Sequence, residues 1–132
     1  MAQEKILIVD DNADTRLLLS LRLKAYGYET VYAANPLEAI MMTHQAKPDA
    51  ILLDLGLPGS SGFLVLERLK SVPALASIPV VIVSAEEPQM AQAKALALGA
   101  VAFLHKPVPQ RMLIQTIEQS LAATRDPAKK IA

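Results

Sequence analysis

Five side chains able to do polar chemistry stand at the ends of apolar runs in this chain. Asp10 and Asp11 follow KILIV, Asp54 follows AILL, Ser84 follows VVIV, and Lys106 follows VAFLH. If these runs are neighbouring strands, three carboxylates, one hydroxyl and one ammonium meet at one edge. Like charges packed in a partly dry pocket raise one another's pKa and resist ionisation. One lysine leaves an excess of negative charge that a divalent cation would neutralise. An all-oxygen donor set suits Mg2+, which keeps several waters and binds through one or two carboxylates plus a phosphate. The histidine and thiolate ligands that zinc prefers are missing from this set. Beside such an ion Asp54 can act as a nucleophile toward phosphorus, giving an aspartyl phosphate. In phosphoryl transfer the catalytic task is mainly positioning and charge stabilisation. Lys106 and the cation would clamp the phosphoryl oxygens, Ser84 would donate a hydrogen bond, and an ionised carboxylate needs no general base.

The elements that must position these residues follow from the apolar pattern. Ile6–Val9, Ala50–Leu53, Val80–Val83 and Val101–Leu104 are short runs, which predict strands buried on both faces, as in a parallel sheet. Glu29–Ala33 alternates and is more polar, so it predicts an edge strand. Helix-period stretches lie between them, over Asp14–Tyr26, Pro36–Gln45, Ser61–Ser71, Pro88–Leu98 and Pro109–Ala123. Asn35 and Pro36 make a helix start, Asp14 is read as a cap, and Gly27 and Gly99 stand where helices should stop. Five βα units in succession imply an α/β doubly wound parallel sheet with helices on both faces. In that architecture the ligand site lies beyond the carboxyl ends of the strands.

Composition narrows the function classes. The 132 residues suffice for one domain, expected over residues 1–123, and TRDPAKKIA reads as a polar tail or the start of a linker over residues 124–132. Thirteen basic residues cancel thirteen acidic ones, so net charge points to neither nucleic acid nor an anionic membrane. The absence of cysteine excludes disulfides and thiolate chemistry. The N-terminal apolar run is too short for a signal peptide and no stretch is long enough to span a bilayer, which gives a cytoplasmic expectation.

Four segments carry a resemblance: IVDDN (Ile8–Asn12), LLDLGLPGSSG (Leu52–Gly62), VIVSA (Val81–Ala85) and GAVAFLHKP (Gly99–Pro107). Together they resemble the receiver domain of two-component response regulators, over Lys5 to about Ala123. The resemblance implies a flavodoxin-like, five-stranded sheet in the order 2-1-3-4-5, as in chemotaxis receivers. It makes Asp54 the phosphoryl acceptor and Asp11 the closest metal ligand. Asp10 would act largely through metal-bound water, and the Gly56 carbonyl would be a further ligand. Ser84 and Phe103 would be a coupled switch acting on the face made by the fourth helix, fifth strand and fifth helix. Lys106–Pro107 would be a cis peptide. The implied partners are a histidine kinase or histidine phosphotransfer protein, a downstream effector protein and, as a further candidate, a second copy in a homodimer. The chain departs from the family's usual residues at Leu57, where methionine is common, and at Val101 and Ala102, where acids are frequent. Gly56 and Glu86 flank the acceptor and the hydroxyl at positions that influence water access in the family.

Blander readings exist for each residue. An acidic pair after a strand is ordinarily a turn with capping carboxylates, and Lys106 or Ser84 alone would be ordinary surface groups. They gain weight by falling on one edge together. Phe103 alone would read as core, and His44 and His105 as non-functional, with His105 facing away from the site. Competing functions are an aspartate-nucleophile phosphatase, which needs a second acid where Gly56 stands, and an interaction module independent of phosphorylation. On the first helix Leu17, Leu18, Leu21 and Ala25 share one face, leaving Leu19 and Leu23 as a second apolar stripe and a candidate docking surface. The fourth helix, MAQAKALAL, is mostly alanine and is expected to be weakly held.

Overall fold

The computed structural model describes residues 3–57, 62–86 and 88–125. Five strands, β1 (Lys5–Val9), β2 (Glu29–Ala33), β3 (Ala50–Leu53), β4 (Val80–Ser84) and β5 (Ala102–His105), alternate with five helices. These are α1 (Ala13–Lys24), α2 (Pro36–Ala46), α3 (Gly62–Ser71), α4 (Pro88–Ala97) and α5 (Gln110–Arg125). The strands pair in parallel in the order β2-β1-β3-β4-β5, as the resemblance implies. The chain reverses its direction of winding between β1 and β3, which opens a crevice above their carboxyl ends.

Side-chain alternation along the strands builds two cores. Leu7, Val9, Ile51, Leu53, Val80 and Ile82 pack with residues of α2, α3 and α4. Ile6, Ile8, Ala50, Leu52, Val81 and Val83 pack on the other face with α1 and α5. The three central strands are therefore covered on both sides, which explains their unbroken apolar sequences. β5 departs from the expectation. It is the second edge of the sheet, with Ala102 and Phe103 half-buried and His105 exposed, because among the described residues no strand pairs with its outer side.

Local chemistry fixes the helix starts. Asn35 caps α2 by accepting the Glu38 amide at 2.9 Å, and the Glu38 carboxylate accepts the Ala34 amide at 2.8 Å in return. α1 is capped by Asn12, whose side chain accepts the Thr15 amide at 2.9 Å, so Asp14 lies in the first turn and is not the cap. Gly27 and Gly99 both have positive φ at the ends of helices, as expected. α5 continues to Arg125, two residues beyond the expected domain limit, and the rest of the expected tail (126–132) lies outside the described residues. The expected start of the third helix at Ser61 also lies outside them.

The docking stripe expected on α1 is corrected. Leu19 and Leu23 are buried against the sheet, whereas Leu17, Leu18 and Leu21 are each more than half exposed. Two polar residues on the inward face hide this phase in the sequence. Arg16 turns in to donate to the Asp10 carbonyl at 2.7 Å, and the buried Ser20 hydroxyl pairs with Thr30 Oγ1 at 2.7 Å. Leucine on nearly every turn leaves hydropathy alone unable to say which side faces the core.

Candidate functional site

Backbone hydrogen bonds across the sheet align the strand ends. The Asp10 amide donates to the Ala33 carbonyl at 3.1 Å, the Asp54 amide to Val9 at 2.9 Å, and the Lys106 amide to Ser84 at 2.8 Å. Register thus carries Asp10, Asp54, Ser84 and Lys106 to the same edge, because each stands at the carboxyl end of a strand paired in parallel with its neighbours. One carboxylate oxygen from each of Asp10, Asp11 and Asp54 lies within 4.8 Å of the others. Lys106 Nζ donates to Asp10 Oδ2 at 2.9 Å and lies 3.6 Å from Asp54 Oδ2.

The three carboxylates occupy different environments. Asp10 is 3% exposed, and its Oδ1 accepts the Asn12 amide at 2.9 Å. Asp11 faces solvent. Asp54 lies between these extremes, and burial pushes its carboxyl above the usual carboxylate range. The nearby charge of Asp10 adds to that rise, while the Gly56 amide (3.1 Å from Asp54 Oδ1) and the Lys106 ammonium oppose it. A carboxylate held this way is destabilised as an anion until further positive charge arrives. The donor set fits a hard cation: converging carboxylate oxygens of graded exposure, with a single ammonium to offset them.

The remaining expected residues take distinct places. Ser84 is fully buried at the end of β4, and its Oγ accepts the Glu86 amide at 3.0 Å. Phe103 is half-buried and packs against the core on the α2, α3 and α4 side. The Lys106–Pro107 peptide is cis. A Cβ added to Gly56 would stand 3.7 and 3.8 Å from the two Asp54 carboxylate oxygens, so glycine leaves that carboxylate uncovered on this side. Gly62 is required by close approach, since a Cβ there would lie 2.4 Å from the Asp54 carbonyl oxygen. His105 is exposed, with Nε2 3.3 Å from the Ala85 carbonyl. Leu19 and Leu23, being buried, offer no docking surface. Sequence reasoning passed over Arg16, Arg22 and Gln110. Arg22 bonds to residues 86 and 88 positions away, and no local pattern could have signalled that.

A doubly wound sheet with an acidic crevice and a lysine bridging two of its carboxylates is the arrangement that the receiver motifs imply. The model of the response regulator receiver domain matches residues 6–118, and the chain belongs to that family. It is 40% identical over 108 residues to sporulation initiation phosphotransferase F of Bacillus subtilis, covering 81% of this chain and 85% of that protein. It is 35% identical over 124 residues to the phosphate regulon transcriptional regulatory protein PhoB of Pseudomonas aeruginosa. That match covers 94% of this chain but only 54% of PhoB, so the chain spans about half that regulator's length. Among solved structures, the chemotaxis protein CheY4 of Vibrio cholerae superposes with a TM-score of 0.84 at 28% identity, covering 90% of this chain and 99% of that one. Among the described residues, no helix is long and apolar enough to cross a membrane.

Proposed function

We propose that this chain accepts a phosphoryl group on Asp54, in a Mg2+-dependent transfer from a histidine kinase or a histidine phosphotransfer protein. The observation that carries this reading is the position of Lys106 Nζ, 2.9 Å from Asp10 and 3.6 Å from Asp54, beside three converging carboxylates. Asp10, Asp11, Asp54 and the Gly56 carbonyl would hold Mg2+. When bound, that ion supplies positive charge for the phosphoryl oxygens. A carboxylate oxygen of Asp54 forms the new bond to phosphorus as the donor's bond breaks, its electron pair leaving with the donor. Lys106 holds a phosphoryl oxygen, and the Ser84 hydroxyl donates to another. Ser84 and Phe103 then couple the modified site to the face formed by α4, β5 and α5, where a downstream effector protein docks. The chain acts as an acceptor with slow self-hydrolysis rather than as a turnover enzyme, and the reading carries with it a cytoplasmic location.

The test is phosphorylation by a small donor such as phosphoramidate, followed by intact mass. The expected result is gain of one phosphoryl group only with Mg2+, and its complete loss in Asp54→Asn. Equal labelling of Asp54→Asn, or labelling indifferent to divalent cations, overturns the proposal.

A further inference from the structure

Lys106 is carried on a segment whose backbone is anchored on both sides. Upstream, its own amide donates to the Ser84 carbonyl at 2.8 Å. Downstream come Pro107, Val108 and Pro109, in which each proline fixes φ and supplies no N–H. That segment therefore has few backbone groups with which to secure itself, and Arg22 of α1 provides the attachment. Its Nη2 donates to the Val108 carbonyl and its Nε to Gln110 Oε1, both at 2.5 Å. Gln110 Nε2 completes the loop by donating to the Arg22 carbonyl at 3.1 Å. The three bonds join the last turn of α1 to the first residue of α5 and straddle Pro109. Val108 is itself buried, and it packs in the same core as Leu19 and Leu23 of α1.

We infer that Arg22 and Gln110 form a clamp that positions Lys106 for phosphoryl transfer. This rests on the proposed role of Asp54 and extends it to residues that never touch the reacting atoms. The planar guanidinium presents two donors in a fixed fork, so it fixes the direction of the segment as well as its distance, which a lysine could not do. Lys106 lies two residues from the clamped carbonyl, and its ammonium must stay near both Asp10 Oδ2 and Asp54 Oδ2. A displacement of about 1 Å at a catalytic group can cost on the order of 100-fold in rate. Arg22 and Gln110 are positioning residues: they hold the lysine where it can meet a phosphoryl oxygen.

The experiment measures labelling by phosphoramidate, which needs no protein donor and so is blind to effects on docking. Maximum rate and Mg2+ half-saturation are read separately for the wild type, Arg22→Ala, Gln110→Ala, Gln110→Glu and the double alanine variant. Removing the clamp is expected to lower the maximum rate about tenfold and leave Mg2+ half-saturation within about twofold, because the carboxylates are untouched. The double variant should fall no further than either single one, as residues acting as a unit are non-additive. Gln110→Glu keeps an acceptor for Arg22 Nε and should retain most of the rate. Should Arg22→Ala fail to fold, Gln110→Ala and Gln110→Glu decide the matter. An unchanged maximum rate in the folded alanine variants overturns the inference, as does a fall in rate matched by a fall in Mg2+ affinity. Failure of the wild type to be labelled at all removes the acceptor reading itself, and the clamp's role with it.

Discussion

The helices α1 and α5 on one face of the sheet and α4 on the other are held in different ways. On one side α1 and α5 bury large side chains, with Leu19, Leu23, Leu113, Ile114, Ile117 and Leu121 all in one core. Polar ties add direction there, through Ser20 and Thr30 and through Arg22 and Gln110. On the other side α4 contributes Ala91 and Ala95 to the buried core, with Leu98 half-buried just beyond its end. Its Lys94 ammonium also lies over the Phe63 ring of α3, 4.4 Å from the centroid. Small side chains remove little apolar area from water, and burial contributes roughly 25 cal/mol per Å2. On one face α1 and α5 are anchored by large buried side chains, while on the other α3 is anchored by Val65, Leu66 and Leu69 and α4, beside it, by the smaller Ala91 and Ala95. A domain that keeps its reacting groups fixed while changing its outer surface needs that asymmetry.

The largest effect should come from breaking the packing of α1. Leu23→Ala, which hollows a fully buried site, is expected to cost about 3 kcal/mol in denaturant unfolding, whereas Leu18→Ala on the exposed face of the same helix should stay within about 0.5 kcal/mol. Similar losses from the two would erase the contrast and restore the opposite phase of α1.

Asp54 exerts an intermediate effect whose size depends on pH. Its carboxyl is raised in the folded protein, mainly by burial, so the native state binds this proton more readily than the unfolded chain. The associated stability is present below the unfolded carboxylate value of about 3.9 and is lost as pH rises through the raised folded value. Without divalent cations, Asp54→Asn should therefore melt a few degrees above the wild type at neutral pH, and the gap should close toward about pH 4. A variant that melts below the wild type at pH 7 without metal would show that the Lys106 and Gly56 contacts outweigh burial.

The smallest effect belongs to α4. Lys94→Ala should cost only about 0.5 kcal/mol, the value of an exposed cation–π contact, and should speed amide exchange in α4 more than in α1. If α4 amides in the unmodified protein exchange as slowly as those of α1, the contrast between these two helices is disproved.

Much of the site is legible in the sequence. Ile6–Val9, Ala50–Leu53 and Val80–Val83 are runs that only a doubly covered strand would bury, and a charged residue after such a run must emerge at the strand's end. Asp10, Asp54 and the hydroxyl of Ser84 could be placed on one edge for that reason, and the receiver motifs supplied the strand order and the place of Lys106. Phe103 was less legible, because an aromatic residue in a strand has the same pattern whether it fills a core or sits half-exposed at an edge.

The sequence by itself determined the alternation of elements and the set of polar groups at the strand ends, since both follow from runs of four to sixteen residues acting locally. Tertiary structure decided which face of α1 is buried, that β5 is half-exposed at the edge, and that Arg22 meets Val108 and Gln110 across 86 and 88 residues. A leucine-rich helix has several nearly equal apolar stripes, and the sheet selects among them by where inward polar groups such as Arg16 and Ser20 find partners. Pairings between distant segments leave no local periodicity, so they exist only once the chain has closed on itself.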